Sequence, residues 1–376
     1  MMAFPLPEAT PESLGLDSSK LDRACALVEK DIAQGFHPGA QLAVARHGKL
    51  ALHRSFGCME RDRQQAVEGQ TLFLLYSNTK VITAAAVWLL VEDGLLCFGD
   101  AIADHIPGFE AHGKGDITVI DLLSHQAGFP KAVIPIECWD DAARLREAAC
   151  GIVPEWPRGT RTAYHPNAAY GVARVLVEAL TGKDFRDVVR ARLIEPLGLE
   201  LELFMSLPPS EWHRTAPMHA PDAAGGLAVA PVEASATFRQ AGFAAGGAHG
   251  TARAMAMFYQ MLARGGSLGA TRLFAPRTMD FVTRDFTGDR VDEQIGIAMH
   301  RGLGPFSRGT TLETRGLGTI GHSRTFGHSG VGSSQCWADP VSGVSFAFLS
   351  NARQGNDWHN RRMDRISNLI HAAILH

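Results

Sequence analysis

Short strand-like runs lie toward the two ends of the chain, and helical periodicity fills the stretch between them. An opening helix, about Ser18 to Gln34, leads into an apolar strand at Gln41 to Ala45. The His47-Gly48 pair then returns the chain through Leu50 to Phe56 as a β-hairpin. From Val81 to Val91 the sequence reads V-I-T-A-A-A-V-W-L-L-V, apolar on every face, which predicts a central buried helix ended by Gly94. Thr118 and Asp121 have the spacing of a capping box for Val119 to Ser124, closed by Gly128. Further helices fit Asp140 to Ala149, Ala168 to Leu180 ending at Gly182, Phe185 to Ile194, and Thr251 to Ala263 ending at Gly265-Gly266. Strand character returns at Ile295 to Met299, at Ser333 to Ala338 and at Val344 to Leu349, the last two joined by a turn around Asp339-Pro340. Asp357 or Asn360 opens a terminal helix reaching about Ile374, and the polar, glycine-containing stretch Thr310 to Arg324 reads as a mobile loop.

Strands at both ends with helices between predict one antiparallel sheet assembled from both ends of the chain and interrupted by a helical insertion. The expected division is a discontinuous α/β lobe, residues 1–85 and 286–376, and a helical lobe, residues 86–285, with the natural cleft where they meet. A length of 376 residues fits two lobes better than one core.

Composition narrows the function classes. The chain is 45% hydrophobic and 20% charged, with a formal net charge of -3 and no basic stripe or run of like charges, so nucleic acid and anionic membrane are poor partners. Met1 to Leu16 has no cationic segment followed by an apolar core, and Val81 to Val91 is shorter than the roughly 20 apolar residues of a bilayer span. Cytoplasmic residence is the expectation. The six cysteines form no C-x-x-C pair and read as reduced thiols. The sixteen histidines include no H-E-x-x-H and no compact Cys/His cluster, so neither metal nor other cofactor is expected.

Ser77-Asn78-Thr79-Lys80 carries the strongest chemistry. A hydroxyl and an amine three residues apart at the start of a helix lie on the same side of its first turn. A serine is a poor nucleophile until an adjacent base takes its proton, and a lysine in an apolar wall can have its pKa lowered enough to do so. On the plainer alternative Ser77 caps the helix and Lys80 reaches solvent. The apolar run that follows argues instead for a buried amine, which needs a specific reason.

Two more segments supply groups the pair would need. Tyr164-His165-Pro166-Asn167 precedes the helix near Ala168, so Tyr164 stands on a loop. A phenol beside an ammonium favours its ionised form and could exchange a proton with a leaving group. Gly327-His328-Ser329-Gly330-Val331 leads into the strand at Ser333. Gly330 lets a substrate approach the backbone, and the N–H groups of Ser77 and Val331 would form an oxyanion hole. His328 could bind a substrate carbonyl or tune Tyr164 and Lys80. His125, His249 and Trp337 are further polar groups without an assigned role.

The matching stretches are Y-S-N-T-K, L-L-S-H-Q-A-G, Y-H-P-N-A-A-Y-G-V-A-R-V-L-V-E-A-L-T-G, A-G-G-A-H-G-T-A-R-A-M-A-M-F, and F-G-H-S-G-V-G followed by W-A-D-P. In their order and spacing, from about Ala40 to Asn351, the chain resembles the serine β-lactamase and penicillin-binding-protein superfamily. The resemblance is to its class C β-lactamase-like branch, which includes the family VIII carboxylesterases. It implies a β-lactamase/transpeptidase-like fold, an antiparallel sheet flanked by N- and C-terminal helices with an inserted helical lobe. It also implies Ser77 as nucleophile, Lys80 and Tyr164 as the proton-handling pair, and His328-x-Gly330 beside the oxyanion hole, with Asn167 as a further substrate contact. Penicillin-recognising members usually have Lys-Thr-Gly where this chain has His328-Ser329-Gly330, and their Tyr-x-Asn is one residue shorter than Tyr164 to Asn167. The expected activity is that of a serine hydrolase cleaving small carboxylic esters through an acyl-enzyme on Ser77, with a small-molecule ester or amide as its substrate partner. A β-lactamase or D-amino-acid peptidase, an acyltransferase of secondary metabolism, and a non-catalytic binding protein are the alternatives.

Overall fold

The computed structural model describes residues 4–60 and 65–376. Residues 1–3, the beginning of the Met1 to Leu16 stretch read above, lie outside the described residues.

Six strands form one antiparallel sheet: β1 Gly39–Arg46, β2 Lys49–Gly57, β3 Phe306–Ser307, β4 Phe326–Gly330, β5 Ser334–Asp339 and β6 Val344–Ser350. Their spatial order is β3-β4-β5-β6-β1-β2, so strands from the two ends of the sequence meet where β1 pairs with β6, Ala40 opposite Ser350 through Arg46 opposite Val344. The β1–β2 hairpin turns at His47 and Gly48, both with positive φ (53° and 78°), the two-residue geometry that matches strand twist.

All of β1 is buried, because both faces of the sheet are covered. Leu42 and Val44 face one way, packing with Phe346, Phe348 and Trp337 against α1 Ser18–Ala33 and the terminal helix Asn356–Ala372. Ala43 and Ala45 face the other way, toward the large core that includes α2 Thr79–Glu92 and the helices Ala168–Thr181 and Ala252–Ala263. As its all-apolar sequence requires, α2 is buried from Thr79 to Leu90. The capping box at Thr118 and Asp121 and the left-handed Gly182 at the end of Ala168–Thr181 stand where the sequence puts them. No helix among the described residues is long and apolar enough to cross a membrane.

Four local expectations change. Ile295 to Met299 is not a strand: Asp292 gathers the N–H groups of Gln294, Ile295 and Gly296, and Gly296 takes φ of +85°, which closes the segment into a turn. The sheet is extended instead by β3 and β4, so the Gly327-His328 motif is itself a strand rather than the approach to one. The segment Thr310 to Arg324 is pinned, with the buried Arg315 donating to the carbonyls of Ala298 (2.7 Å) and Arg308 (3.1 Å). The helix from Phe185 ends its α-form at Val189 and continues as one π-helical turn, Arg190–Ile194, before Pro196.

Candidate active site

Ser77 occupies a tight turn, Tyr76–Asn78, between the short strand Phe73–Leu74 and α2. The preceding Tyr76 has φ of +45°, a conformation an aromatic residue keeps only when its surroundings hold it. Its Oη donates to Glu233 Oε1 at 2.8 Å, and Glu233 pairs with Arg353 at 3.2 Å. On the other side, Ser334 Oγ donates to Leu75 O and accepts from Asn78 Nδ2, both at 2.9 Å. The turn is fastened at both ends, and Ser77 itself keeps 8% exposure.

Lys80 is wholly buried one turn later, with its Nζ 3.2 Å from Ser77 Oγ. The same nitrogen donates to the carbonyl oxygens of Ala245 (2.7 Å) and Pro166 (3.0 Å). Carbonyls only accept, so two N–H bonds are committed to them and the third tetrahedral direction points at the serine. Burial, and secondarily the charge of Arg301, hold the Lys80 pKa well below its ordinary value. In the neutral amine that third direction is a lone pair, placed to receive the Ser77 proton.

Tyr164 reaches the same hydroxyl from its loop, donating from Oη to Ser77 Oγ at 2.7 Å. Its backbone N–H donates to Asp292 Oδ1 at 2.9 Å, and its neighbour His165 donates from the backbone to His125 Nδ1 at 3.0 Å. The Arg301 guanidinium lies 4.9 Å from the Tyr164 ring centre and is paired with Asp292 at 2.7 Å, both buried. Desolvation of the phenol outweighs the Ser77 hydrogen bond and the Arg301 charge and pushes its pKa up to about 12, so at neutral pH the group is a proton donor.

Strand β4, unpaired with β3 beyond Gly327, completes the cluster. A Cβ on Gly330 would stand 2.4 Å from Ser334 Oγ, 2.5 Å from Leu75 O and 2.9 Å from Tyr76 Cβ. Glycine is therefore needed at 330 so that the strand can lie against the serine turn, a tighter reason than substrate access alone. Val331 follows with φ of +32°, strained for a β-branched residue, and is 44% exposed. Neither its N–H nor that of Ser77 is taken by another group among the described residues. His328 stands two residues before Gly330 with its ring 6.0 Å from that of Tyr164.

Asn167 is not gathered into this cluster. Its amide oxygen accepts from Ile134 N–H at 3.1 Å, and the extra residue in Tyr164 to Asn167 brings the Pro166 carbonyl against Lys80 in its place. His125 packs 4.8 Å from Tyr164, whereas His249 bonds to Gly247 O and Trp337 to Ser367 Oγ, both as parts of the packed interior. Arg301, Asp292 and the Ala245 carbonyl carry no mark in the sequence, since each is brought in by a long-range contact. No group of three His, Cys, Asp or Glu side chains among the described residues is arranged to hold a metal ion.

The fold and this site define the class as a serine hydrolase with the β-lactamase/transpeptidase-like fold. The family model described as Beta-lactamase matches residues 26–368, and the chain belongs to that family. It is 27% identical over 341 residues to the esterase/beta-lactamase LipL of Mycobacterium tuberculosis, an alignment covering 83% of this chain and 77% of that protein. Among solved structures, a penicillin-binding protein homologue from Caulobacter crescentus superposes with a TM-score of 0.83 at 29% identity, covering 94% of this chain and 97% of the other. A family VIII carboxylesterase superposes with a TM-score of 0.83 at 27% identity, covering 96% of this chain and 99% of the other.

Proposed function

We propose that the protein opens small carboxylic esters through an acyl-enzyme on Ser77. The observation that carries this reading is the convergence on one oxygen: Lys80 Nζ at 3.2 Å and Tyr164 Oη at 2.7 Å from Ser77 Oγ. Neutral Lys80 takes the serine proton as Oγ attacks the ester carbonyl, and the amides of Ser77 and Val331 hold the oxyanion. The phenol of Tyr164 gives its proton to the departing alkoxide, and the Lys80 ammonium restores it. Water then enters, loses a proton along the same route, and releases the acid. In this reading the cleft lies between a sheet-bearing lobe, residues 1–85 and 286–376, and a helical lobe, residues 86–285.

The ester is favoured over a β-lactam or D-amino-acid peptide because β4 offers His328, held neutral by burial and by the charge of Arg301, where a fixed cation would hold a substrate carboxylate. The likeness to a family VIII carboxylesterase supports the same reading, whereas LipL, an esterase/beta-lactamase, fits either substrate. The test is a serine-directed phosphonate, expected to leave one adduct on Ser77, together with Ser77→Ala, expected to lower ester turnover roughly 10⁴-fold or more. Turnover that survives Ser77→Ala refutes the assignment, and faster opening of a chromogenic cephalosporin than of a nitrophenyl ester replaces the substrate class.

A further inference from the structure

We propose that His328 presents a bare hydrogen-bond acceptor to the leaving-alcohol side of the site and thereby selects esters whose alcohol portion carries a hydroxyl or N–H donor. This deepens the ester reading and rests on it.

The tautomer follows from one contact. His328 Nδ1 lies 2.7 Å from the carbonyl oxygen of Ser329, and a carbonyl can only accept, so Nδ1 carries the hydrogen. In the neutral ring Nε2 then has only a lone pair to offer. It has no partner among the described residues, although His328 is 2% exposed. Buried polar atoms are as a rule satisfied, so an unmade acceptor beside a candidate active site points to a donor that arrives with the ligand.

Direction follows from the strand. Side chains two residues apart share a face, and at Gly330 that face is pressed on Leu75 and Tyr76, the turn that carries Ser77. The imidazole is set against the Phe306 ring edge-on at 5.5 Å and stands 6.0 Å from the Tyr164 ring. Tyr164 is the group that protonates the leaving oxygen in the ester reading, so a donor that meets Nε2 belongs to the alcohol portion, close to that oxygen. Burial and the Arg301 charge both oppose a second proton on the imidazole. A carboxylate placed there would meet a lone pair and no cation, and is rejected.

Three butyrate esters of matched size separate the cases: 2-hydroxyethyl, n-propyl and carboxymethyl, with kcat/KM followed by titration of the released acid. The wild type is expected to favour hydroxyethyl over propyl by about tenfold, as one added hydrogen bond allows, and to place carboxymethyl last. His328→Phe is expected to bring the hydroxyethyl-to-propyl ratio near one, and His328→Lys to move carboxymethyl to first place. Phosphonate labelling of Ser77 shows that each variant is folded, and the wild-type ratio decides even if a variant is not. A wild type that labels on Ser77 but cleaves hydroxyethyl and propyl esters equally overturns the His328 assignment and leaves the ester reading standing. So does a labelled His328→Phe that keeps the tenfold preference. A wild type that neither labels nor cleaves any of the three overturns both.

Discussion

Tyr164→Phe separates the two tasks a phenol can have beside a serine. The change removes one oxygen and leaves a ring of the same shape, still 4.9 Å from Arg301, 5.1 Å from Lys80 Nζ and 4.8 Å from the His125 ring. Two things are lost. One is the 2.7 Å hydrogen bond that orients Ser77 Oγ, worth about 1 kcal/mol net and so less than about tenfold in rate. The other is a general acid, worth roughly 10²- to 10⁴-fold, but only when the leaving group needs a proton. A nitrophenolate leaves unprotonated at neutral pH, and an alkoxide does not. The expected result is a roughly 10³-fold loss of kcat/KM on n-propyl butyrate and about fivefold on nitrophenyl butyrate, measured side by side with phosphonate titration of intact sites. Equal losses on both esters would remove Tyr164 as the acid. A larger loss on the nitrophenyl ester would make it the base for Ser77.

Because burial and Arg301 hold Lys80 well below its ordinary pKa of 10.5, kcat/KM should rise through that lowered pKa, as the amine loses its proton, and stay level toward the Tyr164 value of about 12. A pH–rate profile whose rising limb is centred at the ordinary lysine value would refute the argument. Gly330→Ala places a Cβ 2.5 Å from Leu75 O and should force β4 off the serine turn, costing about 1–3 kcal/mol in a thermal melt and roughly 10²-fold in activity. Unchanged kcat/KM would show that the approach is not needed. Asp292→Asn leaves the buried Arg301 without its carboxylate, at a cost of about 3–5 kcal/mol. For a chain of 376 residues that lowers Tm by about 5 °C, and a shift under about 1 °C would mean the pair is not the anchor of the Tyr164 loop.

What the sequence made legible is what depends on local rules. The period of the apolar positions gave the β1–β2 hairpin, the buried α2 and the capped helix at Thr118, and the three-residue spacing of Ser77 and Lys80 on a helix start determined their contact in advance. The strand expected at Ile295 failed because an aspartate side chain competes for the backbone N–H groups, and alternation of residue types does not register that competition. The proton affinity of Tyr164 depends on features of a related kind. Proximity to an amine was visible in the motif, but the desolvation that favours the neutral form of both groups comes from the packing of distant segments. Arg301 and Asp292 lie nine residues apart in a stretch without regular structure, and only the fold shows that one covers Tyr164 while the other holds its backbone.

On the ester reading these placements work as one electrostatic device. Arg301, a permanent cation near the reacting atoms, is held in an ion pair with Asp292, so it biases its neighbours without binding substrate. Burial shifts Lys80, Tyr164 and His328 each toward its uncharged form, so a neutral ester enters a site of directed donors and acceptors. Charge first develops as Oγ attacks: an ammonium on Lys80, already facing the Ala245 and Pro166 carbonyls, and an oxyanion facing the amides of Ser77 and Val331. Those dipoles are fixed before the reaction and gain most when the charges form, which is the condition for lowering the barrier rather than tightening ground-state binding. A substrate with its own carboxylate would bring charge in too early, to a strand edge that has nothing to neutralise it.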